Sequence, residues 1–418
     1  MRSNPIFIFA IFSTILLVID FFTYRGIKSL NYKLISKKYF SIFFWLVPLI
    51  VIGSFILFSV FRTSISPSNF FPYFHSISGF LILMYIPKLV FLLFEIAQNI
   101  YTLVKHVIIK LTHRGKINVD AEKITRSQFL RKIGLVVAGV PFISIAYGIA
   151  WGRFNFTLRN FELSFKNLPQ IFDGFKIVQI SDSHLGSFIT NEDKVAEAID
   201  LVNQQNPDLI LFTGDMVNNV ADEVNNFISI LGKLKAPFGK YSILGNHDYG
   251  DYVQWESLEK KSENLNKLIN LQKNAGFELL LNESIKITKN GESFELIGVE
   301  NWGLPPFPQY GDLNKSLENI NPDGFKLLMS HDPTHWDEEV LGYTDIDLTL
   351  SGHTHGAQFG IEIPGWRWSP VSMRYKRWGG LYEEGDQKLY VNTGIGFIGF
   401  PGRVGMPPEV CLITLKKA

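Results

Sequence analysis

Five short polar clusters, each directly after an apolar run, contain the residues of this chain that could carry out chemistry. They combine carboxylates, imidazoles and one carboxamide, donors that suit Zn, Mn or Fe. A pair of divalent ions about 3.5–4 Å apart is a known device for clamping and hydrolysing phosphate esters. We therefore expect a two-metal site that acts on phosphate. The clusters are Asp182-Ser183-His184, Gly214-Asp215, Gly245-Asn246-His247-Asp248, Ser330-His331 and Gly352-His353-Thr354-His355.

Each cluster alone is a weak signal, because Asp-x-His triplets recur by chance and a lone histidine usually has an ordinary packing or surface role. The set is stronger, since five of the nine histidines fall within these clusters. In an extended chain, residues i and i+2 point to one side, which predicts that each His-containing triplet offers two donors to the same place. The remaining histidines are given ordinary roles: His75, His106, His113 and His335.

The clusters need elements that bring them together, and the apolar runs before them predict short strands. Ligands collect where strands end in open α/β sheets. Glycine beside Asp215, Asn246 and His353 lets the backbone turn sharply at these ends. Alternation of strands and amphipathic helices indicates a layered α/β or α+β domain. The predicted strands are 175–180, 208–212, 241–244, 325–329 and 347–350, and the predicted helices are 191–203 and 224–233.

The first third of the 418-residue chain is different, because Phe, Ile, Leu and Val dominate it. Four stretches are long and apolar enough to cross a bilayer. Since all five clusters follow the last stretch, we expect a permanent membrane anchor rather than a removable signal. The expected domains are a four-span anchor at 1–152 and a soluble domain at 153–418. The predicted spans are 6–22, 39–61, 77–100 and 133–151.

Basic residues predict the orientation of the anchor. Two loops rich in Lys and Arg face the cytoplasm under the positive-inside rule, whereas the loop between them has only Arg62. Both termini and the soluble domain are then expected outside the cytoplasm, at a cell inner or plasma membrane. The basic residues are Arg25, Lys28, Lys33, Lys37 and Lys38 in one loop and Lys105, Lys110, Arg114, Lys116, Lys123, Arg126, Arg131 and Lys132 in the other.

Three ionisable residues fall within or at the edges of the apolar spans, where charge is costly. Asp20 and Glu95 are near span ends and could reach the interface, but Lys88 is in mid-span. Pairing of Lys88 with Glu95 or with Asp20 remains open. The net charge of +1 gives no general case for nucleic acid as a partner. The single Cys411 excludes an intramolecular disulfide and a cysteine-based zinc site.

The ordered set of clusters resembles the calcineurin-like metallophosphoesterase family, from about Phe172 to the C-terminus. The resemblance implies a four-layer domain, with two mixed β-sheets packed face to face and flanked by helices, behind the transmembrane region. It also implies two divalent ions, Mn, Zn or Fe, with Asp215 bridging them. The implied ligands are Asp182, His184, Asp215 and His355 for the first ion and Asp215, Asn246, His331 and His353 for the second.

The same resemblance implies a catalytic role for His247, which would contact the phosphate and protonate the leaving group, while Asp248 orients its ring. Water activated between the ions would attack phosphorus in line. The run 352–358 and the ending 392–410 resemble a bacterial membrane-associated branch of the family, although Ala357 replaces a more usual glycine. Further candidates for substrate binding are Asn301, Trp302 and Arg403.

Between Trp366 and Trp378 the chain mixes aromatic and basic residues. Such a segment suits a bilayer surface or an anionic headgroup, and it is equally typical of a packed loop with a solvated basic face. We therefore expect a membrane-anchored phosphoester hydrolase, acting on monoesters, diesters or pyrophosphates, with a lipid-linked phosphate as one candidate substrate. A non-catalytic membrane metal-binding or sensor protein is the alternative. A transporter is disfavoured, because four spans without repeats make a poor pathway.

Overall fold

The computed structural model describes residues 5–30, 32, 38–61, 67–111, 120–318 and 320–418. Contacts divide the chain into two compact units, one formed by 1–65 and 73–147 and the other by 66–72 and 148–418. The predicted domain division after residue 152 lies near the second of these limits. Some basic loop residues and one histidine named above lie outside the described residues: Lys33, Lys37, Arg62, His113, Arg114 and Lys116.

Four long apolar helices form the first unit, as the sequence predicts. Each contains a window long and apolar enough to cross a membrane, because about 20 apolar residues span the hydrocarbon core. The third helix extends well beyond the predicted 77–100 at both ends. The helices are Pro5–Lys28 (α1), Lys38–Phe61 (α2), Pro67–Leu111 (α3) and Asp120–Ala150 (α4).

Polar contacts join the helices of this unit at Asp20, which is fully buried. Lys88 Nζ donates to Asp20 Oδ1 over 2.5 Å, and the Tyr85 hydroxyl donates to Asp20 Oδ2 over 2.7 Å. Glu95 instead pairs with Arg131. A carboxylate is costly in an apolar helix bundle unless it is paired. Of the two open partners of Lys88, the structure therefore selects Asp20.

The second unit contains two six-stranded sheets and a separate two-stranded ribbon. The first sheet has the order β1-β14-β2-β3-β4-β5 and the second β12-β13-β9-β8-β7-β6, and each mixes parallel and antiparallel pairs. The strands are Thr157–Phe165 (β1), Lys176–Ile180 (β2), Leu209–Phe212 (β3), Lys240–Ser242 (β4), Glu278–Leu279 (β5), Glu283–Lys289 (β6), Glu292–Gly298 (β7), Lys326–Met329 (β8), Leu348–Ser351 (β9), Ile361–Ile363 (β10), Trp366–Trp368 (β11), Gly380–Glu384 (β12), Gln387–Val391 (β13) and Glu409–Lys417 (β14).

The two sheets face each other across a common apolar core. Leu209 and Leu211 of β3 belong to this core together with Leu327 of β8, whereas Ile210 and Phe212 point to the opposite face, toward the helices. Because β3 is covered on both faces, all four of its residues are apolar. Helices outside the sheets complete the four predicted layers. These helices are Glu192–Gln204 (α5), Ile228–Leu231 (α6), Leu258–Asn274 (α7) and Leu313–Ser316 (α8).

One predicted helix differs from the structure. The sequence predicts a regular helix over 224–233, but the chain forms a 3₁₀ helix at Ala221–Phe227 followed by the single turn of α6. The Glu223 carboxylate accepts hydrogen bonds from the backbone N–H groups of Asn218, Asn219 and Val220. These bonds hold the preceding loop against the start of the 3₁₀ helix. Local hydrogen bonds between this side chain and the backbone, three to five positions apart, thus compete with the predicted regular helix.

Candidate metal centre

The five clusters converge at one edge of the two sheets. Asp182 follows the end of β2, Asp215 follows β3 and Asn246 follows β4, all in the first sheet. His331 follows β8 and His353 follows β9, in the second sheet. Since parallel strands end at the same edge, the fold gathers residues that are far apart in sequence.

The backbone at the clusters is not extended as predicted. Asp182 and His184 still offer donors to one place, as the sequence predicts, whereas His353 and His355 do not. Positive φ angles occur at Asp182 (50°), His184 (43°), Asp215 (58°), His353 (75°) and His355 (52°). Such values are uncommon for residues other than glycine and persist only where the surroundings impose them. The left-handed turns aim the side chains inward, and they direct His353 and His355 into different groups.

Asp182, His184 and His355 form the first group of donors. His184 Nε2 lies 3.0 Å from His355 Nε2, and His355 Nε2 lies 3.4 Å from Asp182 Oδ1. Metal–nitrogen and metal–oxygen bonds of about 2.0–2.2 Å place neighbouring ligands of one ion about 2.8–3.6 Å apart. These spacings therefore fit a single ion held by all three side chains.

Asp215, His331 and His353 form the second group, and Asn246 lies among them. Asn246 Oδ1 is 3.2 Å from His331 Nε2 and 2.8 Å from His353 Nδ1. Asp215 Oδ2 is 3.2 Å from His331 Nε2 and 3.7 Å from His184 Nε2. This carboxylate oxygen thus faces both groups, and the donor set has the oxygen and nitrogen chemistry that Mn, Zn and Fe accept.

Outer contacts fix the orientation of the histidine rings. His331 Nδ1 lies 2.7 Å from the Thr213 carbonyl oxygen, and His184 Nδ1 lies 3.2 Å from that of Val217. Backbone carbonyls at Nδ1 select the tautomer that leaves Nε2 free for a ligand bond. His353 is reversed, because its Nε2 faces the Tyr375 hydroxyl at 2.8 Å and its Nδ1 faces the group.

The structure corrects the predicted role of Asp248. Its carboxylate accepts hydrogen bonds from the backbone N–H groups of Gly245, Asp215, Met216 and Val217. It therefore fixes the loops that carry Asp215 and Asn246. The ring of His247 is oriented instead by a backbone carbonyl, that of Asn218, 2.7 Å from Nδ1.

The three further candidates for substrate binding lie around the donor groups and do not line the cavity above them. Asn301 is buried and donates through Nδ2 to the Pro308 carbonyl, and the Trp302 ring lies 4.9 Å from that of His335. Arg403 is also buried; it donates to the Thr393 carbonyl over 2.8 Å and lies 3.3 Å from His355 Nδ1. Arg403 thus contacts a proposed ligand, and direct substrate binding by these three residues remains a prediction.

A cavity of 380 Å³ opens over both groups of donors. Asp215, Asn246, His353 and His355 form its polar wall, with His247 beside them. Two of its other lining residues, Tyr252 and Phe307, were not predicted, because they follow no strand end and have no metal-ligand spacing. Thr354 lies in the last cluster, Val371, Arg374 and Tyr375 lie in the segment 366–378, and Ile398 lies in the ending 392–410.

Gly245 allows the β4 loop to approach Asp215 closely. A Cβ atom at this position would collide with Asp215 Oδ1 and lie 2.6 Å from the Asp215 backbone nitrogen. Neither of these Asp215 atoms can move away without displacing the Asp215 carboxylate, which faces both donor groups.

Gly245→Ala is therefore expected to weaken metal binding at both groups, by about 10- to 100-fold, the usual cost of disturbing a ligand's support. Elemental analysis of the purified full chain measures this. The control is Gly139→Ala, where an added Cβ meets nothing within 4 Å. Equal metal content in the two variants would contradict the expectation.

The site groups differ in the protons they hold before metal binds. Burial raises the pKa of Asp182 to about 7. Burial acts to lower the pKa of His331, but the nearby Asp215 carboxylate outweighs this effect and raises the pKa to about 10. Burial lowers the pKa of His184 to about 3 and holds that of His355 well below its usual range. Near neutral pH, His331 therefore keeps a proton, whereas His184 and His355 are already neutral.

Metal loading is consequently expected to weaken on acidification. An ion must displace the His331 proton throughout the neutral range and, below about pH 7, the Asp182 proton as well. For each proton that must be displaced, the apparent Kd of the metal rises about tenfold for every pH unit of acidification. Titrating metal-stripped full chain with Mn²⁺ or Zn²⁺ at about pH 8 and about pH 6 measures the slope. A Kd that does not change with pH would contradict these proton assignments.

Comparisons with known proteins found two family models, related sequences and solved structures that are similar to this chain. Residues 175–357 match the family model described as calcineurin-like phosphoesterase, and residues 1–153 match one described as a probable calcineurin-like phosphoesterase transmembrane domain.

The uncharacterized metallophosphoesterase YkuE of Bacillus subtilis is 33% identical over 309 residues, 71% of this chain and 99% of that protein. A transmembrane protein with metallophosphoesterase domain from Danio rerio is 27% identical over 319 residues, 74% of this chain and 68% of that protein. The crystal structure of phosphopantetheinyl hydrolase from Mycobacterium tuberculosis aligns with a TM-score of 0.34 and 12% identity, over 55% of this chain and 91% of that one.

Proposed function

Because this chain belongs to the calcineurin-like phosphoesterase family, we propose that it is a membrane-anchored hydrolase of phosphate esters with a dinuclear metal centre. The observation that supports this most directly is that two groups of metal-type donors meet at Asp215 and open, with His247, on one cavity. A structural or sensory metal site needs no such histidine facing the cavity.

In this proposal, Asp182, His184 and His355 would hold one ion, Asn246, His331 and His353 would hold the other, and Asp215 would be a ligand shared by both. When bound, the two ions supply charge stabilisation for the phosphoryl oxygens and an activated water. The positive φ angles and backbone hydrogen bonds keep the ligands in place before substrate arrives. The site therefore needs little rearrangement during the reaction, which is the condition under which electrostatic stabilisation is most effective.

His247 is the proposed general acid. Its Nδ1 donates to the Asn218 carbonyl, so the proton for transfer is carried at Nε2. The Tyr252 ring packs against it, with 4.5 Å between ring centroids. These two contacts hold the imidazole at the cavity wall, where a leaving oxygen can take the proton.

The cavity wall supports a substrate with an apolar group next to its phosphate. Phe307, Val371 and Ile398 line it together with the polar ligands. Arg374 lies over the Phe307 and Tyr375 rings, 5.7 Å from each centroid, and has no carboxylate partner among the described residues. An unpaired guanidinium beside apolar side chains suits a phosphodiester or pyrophosphate with an organic substituent. A lipid-linked phosphate is the candidate we favour.

Metal-dependent turnover separates this proposal from a non-catalytic sensor. The purified full chain is expected to cleave the chromogenic diester bis-p-nitrophenyl phosphate with Mn²⁺ or Zn²⁺, and comparison with p-nitrophenyl phosphate gives its preference for diesters or monoesters. Binding of metal without turnover of either compound would favour the sensor.

The basic loops support an outer location for the catalytic domain, and exposed cysteines can test it. Tyr343 is 76% exposed in the second unit, whereas the native Cys411 is buried. A membrane-impermeant maleimide is expected to label Tyr343→Cys in intact cells, and to label Lys116→Cys, in the predicted cytoplasmic loop, only after permeabilisation. The reverse pattern would overturn the orientation.

A further inference from the structure

The aromatic and basic segment 366–378 divides into two parts in the structure. Its second part is packed, because Tyr375, Arg377 and Trp378 are buried, and Arg377 pairs with Asp337 at 3.1 Å and Glu384 at 2.9 Å. Its first part belongs to the ribbon formed by β10 and β11. The two interpretations of this segment therefore apply to different residues.

The ribbon exposes a continuous apolar face. In its register Ile361 pairs with Trp368 and Ile363 with Trp366, so all four side chains lie on the same face. Their exposed fractions are 49%, 42%, 54% and 51% in that order. Met373, in the 3₁₀ helix that follows, is 86% exposed. Soluble surfaces rarely gather large apolar side chains in this way without a partner.

The opposite face of the ribbon is held to the domain by polar contacts. Glu362 accepts a hydrogen bond from Arg159 over 2.6 Å, and the Arg367 guanidinium lies 4.9 Å from the Trp378 ring centroid. At the base, the Ser369 hydroxyl donates to the Gly356 carbonyl over 2.7 Å. The ribbon is thus anchored on one face, which leaves the other free for a partner.

The character of this face favours a bilayer over a protein. Tryptophan is enriched at the membrane–water interface, and Arg374 and Lys376, both exposed, lie just beyond it, where basic side chains meet anionic headgroups. The predicted membrane anchor belongs to the same chain, so a bilayer is available to this domain. Six residues, 151–156, join the end of α4 to β1, a connection of at most about 25 Å.

We propose that Ile361, Ile363, Trp366, Trp368 and Met373 form a bilayer-docking surface that enters the interfacial layer of the membrane in which the chain is anchored. Val371, Arg374 and Tyr375 continue from this surface into the wall of the cavity. Docking would therefore set the cavity at the level of the headgroups. The consequence for substrate, which rests on the proposed function, is that the phosphate reaches the site while its lipid chain stays in the bilayer.

A fluorescent label at Met373→Cys tests the docking without any assay of activity. Cys411 is buried and does not compete for the label. The full chain is reconstituted in nanodiscs of phosphatidylcholine and phosphatidylglycerol, with and without lipids that carry a nitroxide quencher on the acyl chain. Leu258→Cys is the control, because Leu258 is also 86% exposed but begins α7.

We expect the nitroxide lipids to quench the label at residue 373 and to leave that at residue 258 unchanged. Equal, weak quenching at both positions would overturn the docking surface. A label at residue 373 that is shielded from water but not quenched by the lipids would also overturn it, since a second copy or another protein would then cover the ribbon.

A paired activity measurement tests the consequence for substrate. Trp366→Ser combined with Trp368→Ser is expected to slow cleavage of p-nitrophenyl hexadecyl phosphate in the nanodisc by about tenfold, because apolar contacts that seat the cavity are lost. Cleavage of soluble bis-p-nitrophenyl phosphate should be unchanged. Equal rates of the tailed ester with and without the tryptophans would overturn delivery from the bilayer. If the unaltered chain cleaves neither ester, the proposed function fails, whereas the quenching result stands independently.

Discussion

Replacing His247 with asparagine is expected to lower turnover by about 10²- to 10⁴-fold while leaving metal content unchanged, the range by which a positioned acid accelerates proton transfer. In the native chain the Asn218 carbonyl oxygen lies 2.7 Å from His247 Nδ1 and holds the ring. An asparagine side chain at position 247 can still donate a hydrogen bond to this carbonyl. It cannot supply a proton to the leaving oxygen. The backbone N–H of residue 247, which donates to Asp215 Oδ1 over 2.8 Å, is retained in the variant.

The loss should depend on the leaving group. A nitrophenolate leaves without protonation, so the fall in turnover is expected to be smaller with a p-nitrophenyl ester than with an alkyl ester. His106→Asn is the matched control, because His106 is exposed on α3 and belongs to the other compact unit. Unchanged turnover of the alkyl ester by His247→Asn, or loss of metal together with turnover, would contradict the assigned role.

Asp215→Asn is expected to have the larger effect, because it acts on both ions at once. Asp215 Oδ2 faces His184 and His331, and no other carboxylate of the described donor groups lies between them. Asparagine keeps the shape of the side chain but removes the negative charge. We expect each apparent metal Kd to rise by at least about 100-fold, beyond the usual effect of supporting residues, and turnover to be lost at ordinary metal concentrations.

Metal titration of the full chain measures this loss. The control is Asp193→Asn, since Asp193 is an exposed aspartate in the first turn of α5. Loss of metal at only one group would show that Asp215 does not bridge. Restoration of turnover by excess metal would show that the loss is one of affinity, as expected.

The sequence was sufficient to place the proposed ligands at strand ends. Strands β2, β3, β8 and β9 begin and end within about a residue of the predicted limits, because each is an apolar run stopped by a polar cluster. The four membrane spans were also predictable, since length and apolarity define them. The partner of Lys88 was not, because nothing in one helix specifies which neighbouring helix it meets.

The supporting residues of the site could not be predicted for a related reason. Tyr375 reaches His353 across 22 positions, and the Asn218 carbonyl reaches His247 across 29. Backbone carbonyls carry no sequence signature, and the family resemblance gave to Asp248 the role that the Asn218 carbonyl fills. The positive φ angles at the ligands were equally hidden, because the folded loops impose them against the preference of the residues.

Metal content and turnover measured on the same sample give the most direct test of the dinuclear centre. We expect two divalent ions per chain, and cleavage of bis-p-nitrophenyl phosphate that disappears when the ions are removed and returns when Mn²⁺ or Zn²⁺ is restored. Fewer than two ions at saturating metal, or full turnover by the stripped protein, would contradict this expectation.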